Sequence, residues 1–191
     1  MKVILASASP RRKALLSLLG WKVEVRPTQV SEEGFLDLPP RERAMSLAAR
    51  KISALIPVLN RDEVGIAADT LVYHAGQVLG KPANQEEARA FLRRLSGEWH
   101  QVYTGLAVAT WERLWLFVEE TAVRFHRLSE ELIEIYLASG SYVDKAGGYG
   151  AQDFIGLVGI AEIRGDFYNV MGLPVQRLLQ FWYQTFGRYY P

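Results

Sequence analysis

The sequence predicts an α/β protein because helical and strand patterns alternate, the apolar content supports a sizeable core, and the chain opens as strand, loop and helix. The alternation runs through all 191 residues without a repeat or a low-complexity segment. Hydrophobic residues make up 49% of the chain, which suits one compact domain or two small lobes.

Local signals place each predicted element. Residues 2–6 form an apolar run typical of a buried strand, and Ser9 then provides an N-cap with Pro10 at the first helical position. Gly20 ends this first helix. The later elements are expected to be strand 22–26, helix 40–56, strand 64–68, a hairpin at 74–77, a helix capped by Asn84 and Glu87, strands 100–110 and 114–127, a helix from Ser129 to Ser139, a glycine-rich segment over 147–159, strand 161–164 and a helix after Pro174.

The composition excludes several classes of function. Lys and Arg total 22 against 21 for Asp and Glu, and this net charge of +1 provides no field for holding nucleic acid or an anionic membrane. The chain has no cysteine and three histidines, so thiol catalysis and thiolate zinc sites are excluded and any metal is expected on carboxylates. No apolar stretch could span a bilayer and no signal peptide is evident, so we expect a cytoplasmic protein.

Two adjacent arginines, Arg11 and Arg12, stand at the opening turn of the first predicted helix. The first N–H groups of a helix lack partners and its dipole is positive there, so cations at this end are unfavourable unless an anion binds. Guanidinium forks suit phosphate oxygens, and the hydroxyls of Ser7 and Ser9 can line the same loop. The pattern favours a phosphate-binding loop over two arginines that merely decorate an exposed helix.

A carboxylate, Asp69, follows the small apolar run 64–68 and is expected at or near the end of a buried strand. The carboxyl ends of central strands collect ligands and catalytic groups in α/β sheets, although Asp is also a common turn former. Together with Glu32 or Glu33 from a separate loop, Asp69 could hold Mg²⁺ or Mn²⁺. On their own, the two glutamates are ordinary solvated loop charges.

Three further polar residues are candidates, each with a simpler explanation beside it. Lys81 lies between a glycine and a proline, where its ammonium could be aimed at a ligand, although most loop lysines are inert. Lys51 borders the apolar side of helix 40–56, where snorkelling of its ammonium is the simpler explanation. Gln152 ends a glycine-rich run and could hydrogen-bond a base edge, whereas a plain mobile loop is the alternative.

Five motifs together resemble the Maf family. They are Ala6 Ser7 Ala8 Ser9 Pro10 Arg11 Arg12, Ala68 Asp69 Thr70, Gly80 Lys81 Pro82, Asp144 Lys145 Ala146 Gly147 and Gly172 Leu173 Pro174. The resemblance implies a nucleoside triphosphate pyrophosphatase, similar in fold to inosine triphosphate pyrophosphatases, with an elongated mixed-sheet α/β body and two lobes around a central cleft. It further implies a single Maf-like domain over residues 1–191, often a homodimer, that removes non-standard nucleotides and is linked to cell-division arrest.

Within the family, the chain resembles the branch that acts on dTTP and UTP. The resemblance implies that Arg11, Thr70 and Gln152 set the base preference, where the 7-methyl-GTP branch typically has tryptophan, glutamine and glutamate. Asp69 is then the catalytic carboxylate and Glu32 its acidic partner, and the two hold the divalent cation. The residues that the resemblance assigns to the phosphates are Ser7, Arg12, Lys51 and Lys81.

Three positions beside Gln152 depart from the family, which often has alanine, isoleucine and glycine where this chain has Gly148, Ala151 and Asp153. The amide of Gln152 is retained, so these departures bear on how tightly the base is selected. Two alternatives stay open. One is a pyrophosphatase for modified or purine nucleotides such as 7-methyl-GTP, and the other is a non-catalytic cell-division regulator.

Overall fold

A computed structural model describes residues 1–31 and 33–191, so the prediction for Glu32 lies outside the described residues. The fold is mixed α/β, as predicted. The strands are β1 (Lys2–Leu5), β2 (Val23–Val25), β3 (Glu63–His74), β4 (Gln77–Leu79), β5 (Trp99–Ala109), β6 (Leu114–Phe125) and β7 (Ile160–Arg164). The α-helices are α1 (Pro10–Leu18), α2 (Pro40–Leu55), α3 (Gln85–Leu95), α4 (Glu130–Ala138), α5 (Phe154–Gly159), α6 (Phe167–Val170) and α7 (Val175–Phe186). None of these helices is long and apolar enough to cross a membrane.

The strands form a sheet in the order β2-β1-β3-β5-β6-β7, with β4 paired to β3. Strand β1 runs parallel to both of its neighbours, and Leu5 lies opposite Val25 on one side and Ile66 on the other. Ala6 still donates its N–H to the Ile66 carbonyl at 2.8 Å, and the chain then leaves the sheet. The loop that leads to the two arginines of α1 therefore starts beside β3, near Asp69.

Strand β3 is longer than the sequence pattern predicts, and the prediction that Asp69 lies at or near its end is wrong. The strand continues to His74 because its second half pairs antiparallel with β4, with Tyr73 opposite Val78. Ala75 and Gly76, with φ of 45° and 83°, form the two-residue turn of the predicted hairpin. Asp69 thus lies within a paired strand and is 7% exposed.

The chain divides into two compact units, each with its own core. Unit 1 comprises Met1–Asp69, Thr104–Glu119 and Gly172–Pro191, and unit 2 comprises Thr70–Tyr103 and Glu120–Met171. The chain passes from one unit to the other within β3, β5 and β6, and again between Met171 and Gly172.

Small residues in unit 1 let helix α2 lie close to the strands. The core residues of this cluster are Ile4, Ala6, Ala48, Ile52, Leu55, Ala67, Ala107 and Ala109. At Gly105 on β5, an added Cβ would stand 2.1 Å from the Ala44 carbonyl oxygen and 2.8 Å from the Met45 Cα. Only glycine fits at this crossing, which fixes the distance between α2 and the sheet.

A buried ion pair ties the start of β3 to the end of β2 in unit 1. Arg26 donates from its two terminal nitrogens to the two Glu63 oxygens at 2.9 and 2.7 Å, and Glu63 is 2% exposed. The paired guanidinium and the N–H of Asn60 lower the pKa of Glu63 to about 2. Glu63 therefore stabilises the fold above pH 4.5, and this contribution disappears as the pH falls toward 2.

Helices α3 and α4 begin in unit 2 at the caps that the sequence predicts. Asn84 accepts from the Glu87 N–H at 2.9 Å, and the Glu87 carboxylate accepts from the Ala83 N–H at 2.6 Å. Ser129 accepts from the Leu132 N–H at 3.2 Å. The core residues of this unit are Val72, Leu79, Ala88, Leu92, Leu95, Val102, Val123, Phe125, Ile133, Tyr136, Leu137, Tyr149 and Ile155.

Candidate functional site

The loop after β1 holds the guanidinium of Arg12 in a fixed position. Its Nε donates to the Gly172 carbonyl at 2.8 Å, and its Nη1 donates to the Ser7 hydroxyl oxygen at 3.1 Å. Ser7 also accepts from the Ser9 N–H at 3.2 Å. Helix α1 starts at Pro10 as predicted, and Arg11 lies half-buried on its first turn. Because Arg12 is already ordered, less side-chain entropy is lost when it binds an anion.

A carboxylate and an ammonium meet in unit 1 where α2 packs on β3. Lys51 donates from its Nζ to Oδ1 of Asp69, and the two side chains are only 16% and 10% exposed. The snorkelling interpretation of Lys51 is therefore wrong, because its ammonium turns toward Asp69 and away from bulk solvent. A pair this well shielded interacts more strongly than one in water, and it holds Asp69 in one orientation.

Arg50, the neighbour of Lys51, makes contacts that the sequence does not predict. It donates to the Ser31 carbonyl at 2.7 Å and to the Glu33 carbonyl at 2.6 Å, and it lies 4.0 Å over the Phe35 ring. Arg50 thus holds the backbone at Ser31 and Glu33 to α2, while the Glu33 side chain is exposed. No spacing or motif signals this role, because its partners are backbone carbonyls.

The carboxylate of Asp69 is a suitable ligand for a divalent cation, but it is one ligand only. Mg²⁺ and Mn²⁺ prefer carboxylate oxygens, and Asp69 is such a donor. Across residues 1–31 and 33–191, no three His, Cys, Asp or Glu side chains cluster as a metal site. The other predicted ligand, Glu32, lies outside the described residues.

In unit 2, the glycine-rich segment is tied to the backbone that carries Lys81. Gly147 donates its N–H to the Gly80 carbonyl at 2.9 Å, and an added Cβ at Gly147, where φ is 68°, would stand 3.0 Å from Val72. The segment is not a plain loop, because a 3₁₀ turn covers Ala146–Gly148 and helix α5 occupies part of the expected loop. Lys81 itself is exposed.

Unit 2 also carries two predicted specificity residues. Thr70 is half-buried in β3, and Gln152 is half-buried at the end of the glycine-rich run. The Nε2 of Gln152 donates to Oδ1 of Asp153 at 3.0 Å. Taken together, the structure joins Ser7 with Arg12 and Lys51 with Asp69 in unit 1.

A buried histidine, His100, contacts Tyr149 in the glycine-rich segment. The Nε2 of His100 and the hydroxyl of Tyr149 lie 2.7 Å apart, and the His100 ring stacks on Phe125 with centroids 5.5 Å apart. Burial lowers the pKa of His100 to about 3 and raises the pKa of Tyr149. Both groups are therefore neutral near pH 7, and a single histidine in a strand pattern offers no signal for this contact.

The low pKa of His100 predicts that the folded protein loses stability in acid. Because the pKa of His100 is about 3 in the folded state and 6.5 as the ordinary value, its contribution is complete above pH 6.5 and is lost progressively as the pH falls toward 3. We expect the free energy of unfolding to fall by about 2 kcal/mol between pH 6.5 and 4.5, measured by urea denaturation. Glu63 contributes to acid sensitivity only below this window.

His100→Phe should flatten that pH dependence, whatever its effect on absolute stability. His74 provides the matched control because its pKa is also lowered, by burial and by the nearby Arg94, although it is half-buried where His100 is fully buried. His74→Gln should keep most of the slope. A His100→Phe protein with the wild-type slope would show that His100 is not the responsible group.

The fold and these contacts define an α/β protein with a preordered arginine and a shielded carboxylate–ammonium pair, a class equipped to bind and act on an anion. The chain belongs to the Maf family: the sequence model described as "Maf-like protein" matches residues 2–185.

Individual proteins are similar to the chain over most of its length. The chain is 46% identical over 178 residues to a protein of Phocaeicola vulgatus named dTTP/UTP pyrophosphatase, covering 93% of this chain and 92% of that protein. A Bacillus cereus protein of the same name is 44% identical over 179 residues, covering 94% and 93%. Among solved structures, a nucleoside-triphosphatase (dITP/XTP pyrophosphatase) from Mycobacterium abscessus has a TM-score of 0.43 and 14% identity, covering 98% of this chain and 97% of that chain.

Proposed function

We propose that the protein hydrolyses dTTP and UTP to the nucleoside monophosphate and pyrophosphate. The observation that carries the proposal is the shielded pair of Asp69 on β3 and Lys51 on α2, which holds a fixed negative charge beside a positive one. The names of the relatives, and their sequence identity to this chain, support dTTP and UTP as the substrates.

The reaction needs charge control more than covalent catalysis. Water attacks the α-phosphorus, the bond from that phosphorus to the bridging oxygen breaks, and pyrophosphate leaves. Asp69 supplies the negative charge near the attacking water, as a proton acceptor, as a metal ligand or as both. A divalent cation held by Asp69 and Glu32 would neutralise phosphate charge and acidify the water.

The remaining residues divide between the phosphates and the base. Arg12 is proposed to hold the phosphates, because its guanidinium is fixed by Ser7 and Gly172 and an arginine fork matches phosphate oxygens. Ser7, Lys51 and Lys81 complete the phosphate set. Arg11, Thr70 and Gln152 are proposed to select the base. The protein is proposed to act in the cytoplasm as a single Maf-like domain, with a homodimer as its assembly.

A nucleotide panel tests the proposal directly. Pyrophosphate release is measured from dTTP, UTP, CTP, ATP, GTP and 7-methyl-GTP, each with Mg²⁺, with Mn²⁺ and with a chelator. We expect dTTP and UTP to give the highest kcat/KM and the chelator to abolish release. Highest activity on 7-methyl-GTP would favour the modified-nucleotide alternative, and no release from any nucleotide would overturn the proposed activity.

A further inference from the structure

Asp153, the residue after Gln152, uses both of its carboxylate oxygens within unit 2. Its Oδ2 lies 3.1 Å from the ammonium of Lys145 and accepts from the Tyr136 hydroxyl at 3.3 Å. Its Oδ1 accepts from the Nε2 of Gln152 at 3.0 Å. The first two partners hold one oxygen of the carboxylate, so the other oxygen is turned toward the glutamine amide.

The contact determines which way the Gln152 amide points. The oxygen and nitrogen of a glutamine side chain have nearly the same shape, so the amide can take two orientations unless a neighbour distinguishes them. An ionised carboxylate only accepts hydrogen bonds, and therefore Asp153 binds the nitrogen and repels the oxygen. The carbonyl oxygen, Oε1, must then face away from Asp153.

Two local features leave the Asp153 side chain available for this pairing. Asp153 occupies the N-cap of α5, yet its carboxylate makes no capping bond there. At Gly150, an added Cβ would stand 2.5 Å from Asp153 Oδ2 and 2.9 Å from Gln152 Nε2. A glycine at this position leaves the space that the two side chains occupy.

The Oε1 of Gln152 is buried and has no hydrogen-bond partner among the residues that the structure describes. A buried carbonyl without a donor is unfavourable, and an arriving N–H group removes that penalty. Uracil and thymine carry an N–H at ring position 3, whereas cytosine carries a lone pair there. An outward carbonyl therefore favours the first two bases, and an outward amide nitrogen would favour the third.

We infer that Asp153 is a positioning residue that holds the Gln152 carbonyl toward the base, so that uracil and thymine are preferred over cytosine. The inference rests on the proposed function, in which Gln152 contacts the base. It adds a residue that acts through Gln152 without touching the nucleotide itself.

The test compares kcat/KM for UTP and CTP, by pyrophosphate release with Mg²⁺, in the wild-type protein and in Asp153→Asn. Asparagine has nearly the same shape but can both donate and accept, so Gln152 is free to turn either way. We expect the UTP-to-CTP ratio to fall by about tenfold, the equivalent of one hydrogen bond. An unchanged ratio, including an equal loss on both nucleotides, would overturn the inference.

Tyr136→Phe is the matched control, because it removes another bond to the same carboxylate while leaving the Gln152 contact in place. Its ratio should equal that of the wild type. An equal fall in both variants would assign the effect to looser packing and reject the role of Asp153. Thermal denaturation of each variant verifies that it is folded.

A second measurement needs no variant. In the NMR spectrum of the wild-type protein, the Nε2 hydrogen of Gln152 that binds Asp153 should exchange slowly with solvent. Rapid exchange of that hydrogen would overturn the inference. Wild-type protein that releases pyrophosphate from UTP and CTP equally well would refute this inference and leave pyrophosphatase activity standing, whereas no release from any nucleotide would refute the proposed function as well.

Discussion

Asp69→Asn should lower kcat/KM for pyrophosphate release from UTP by about 1000-fold while leaving the protein folded. The substitution removes one negative charge and almost no volume. Asparagine keeps an oxygen that can accept from Lys51, so the packing of α2 on β3 is retained. What is lost is the charge that the proposed reaction needs beside the attacking water, which neither Lys51 nor Arg12 can replace.

The measurement pairs steady-state kinetics with thermal denaturation of the same samples. Asp62→Asn is the matched control, because Asp62 precedes β3 and is exposed. The control variant should keep near wild-type activity. If Asp69→Asn were folded and released pyrophosphate within about tenfold of the wild-type rate, Asp69 would not be the catalytic carboxylate.

Elements that are determined by residues close together in the sequence could be predicted from it. The start of α1 at Pro10, the capping box of Asn84 and Glu87 and the turn at Ala75 and Gly76 follow from backbone rules that act over two to four residues. The end of β3 was missed because its continuation depends on pairing with β4. Helix α5 was missed because its glycines are poor helix formers in isolation.

In the candidate site, too, the sequence identifies individual residues but not the contacts that depend on tertiary packing. The resemblance of motifs names Arg12, Lys51 and Asp69, but it does not indicate that Lys51 donates to Asp69, since 18 residues separate them and only tertiary packing joins them. Arg50 and Asp153 have no motif at all. Their roles depend on which backbone carbonyl or side-chain amide lies within hydrogen-bond distance, a property of the folded chain.

Gly105→Ala should destabilise the protein by about 3 kcal/mol, and the loss should also reach the site. An added methyl group would stand 2.1 Å from the Ala44 carbonyl oxygen and 2.4 Å from the Ala44 carbonyl carbon. Helix backbone atoms cannot turn aside as a flexible side chain would, so α2 must move away from β5. Lys51 lies on this helix, and its bond to Asp69 should weaken with the displacement.

Urea denaturation should therefore show a lower midpoint for Gly105→Ala, together with reduced pyrophosphate release from the fraction that remains folded. Gly80→Ala is the control for stability, because an added Cβ there meets nothing within 4 Å and the backbone is not in a left-handed conformation. Its midpoint should match the wild type. A stable Gly105→Ala protein would show that α2 can shift without penalty, and retained activity would then show that the pairing of Lys51 with Asp69 does not depend on the close approach of α2 to β5.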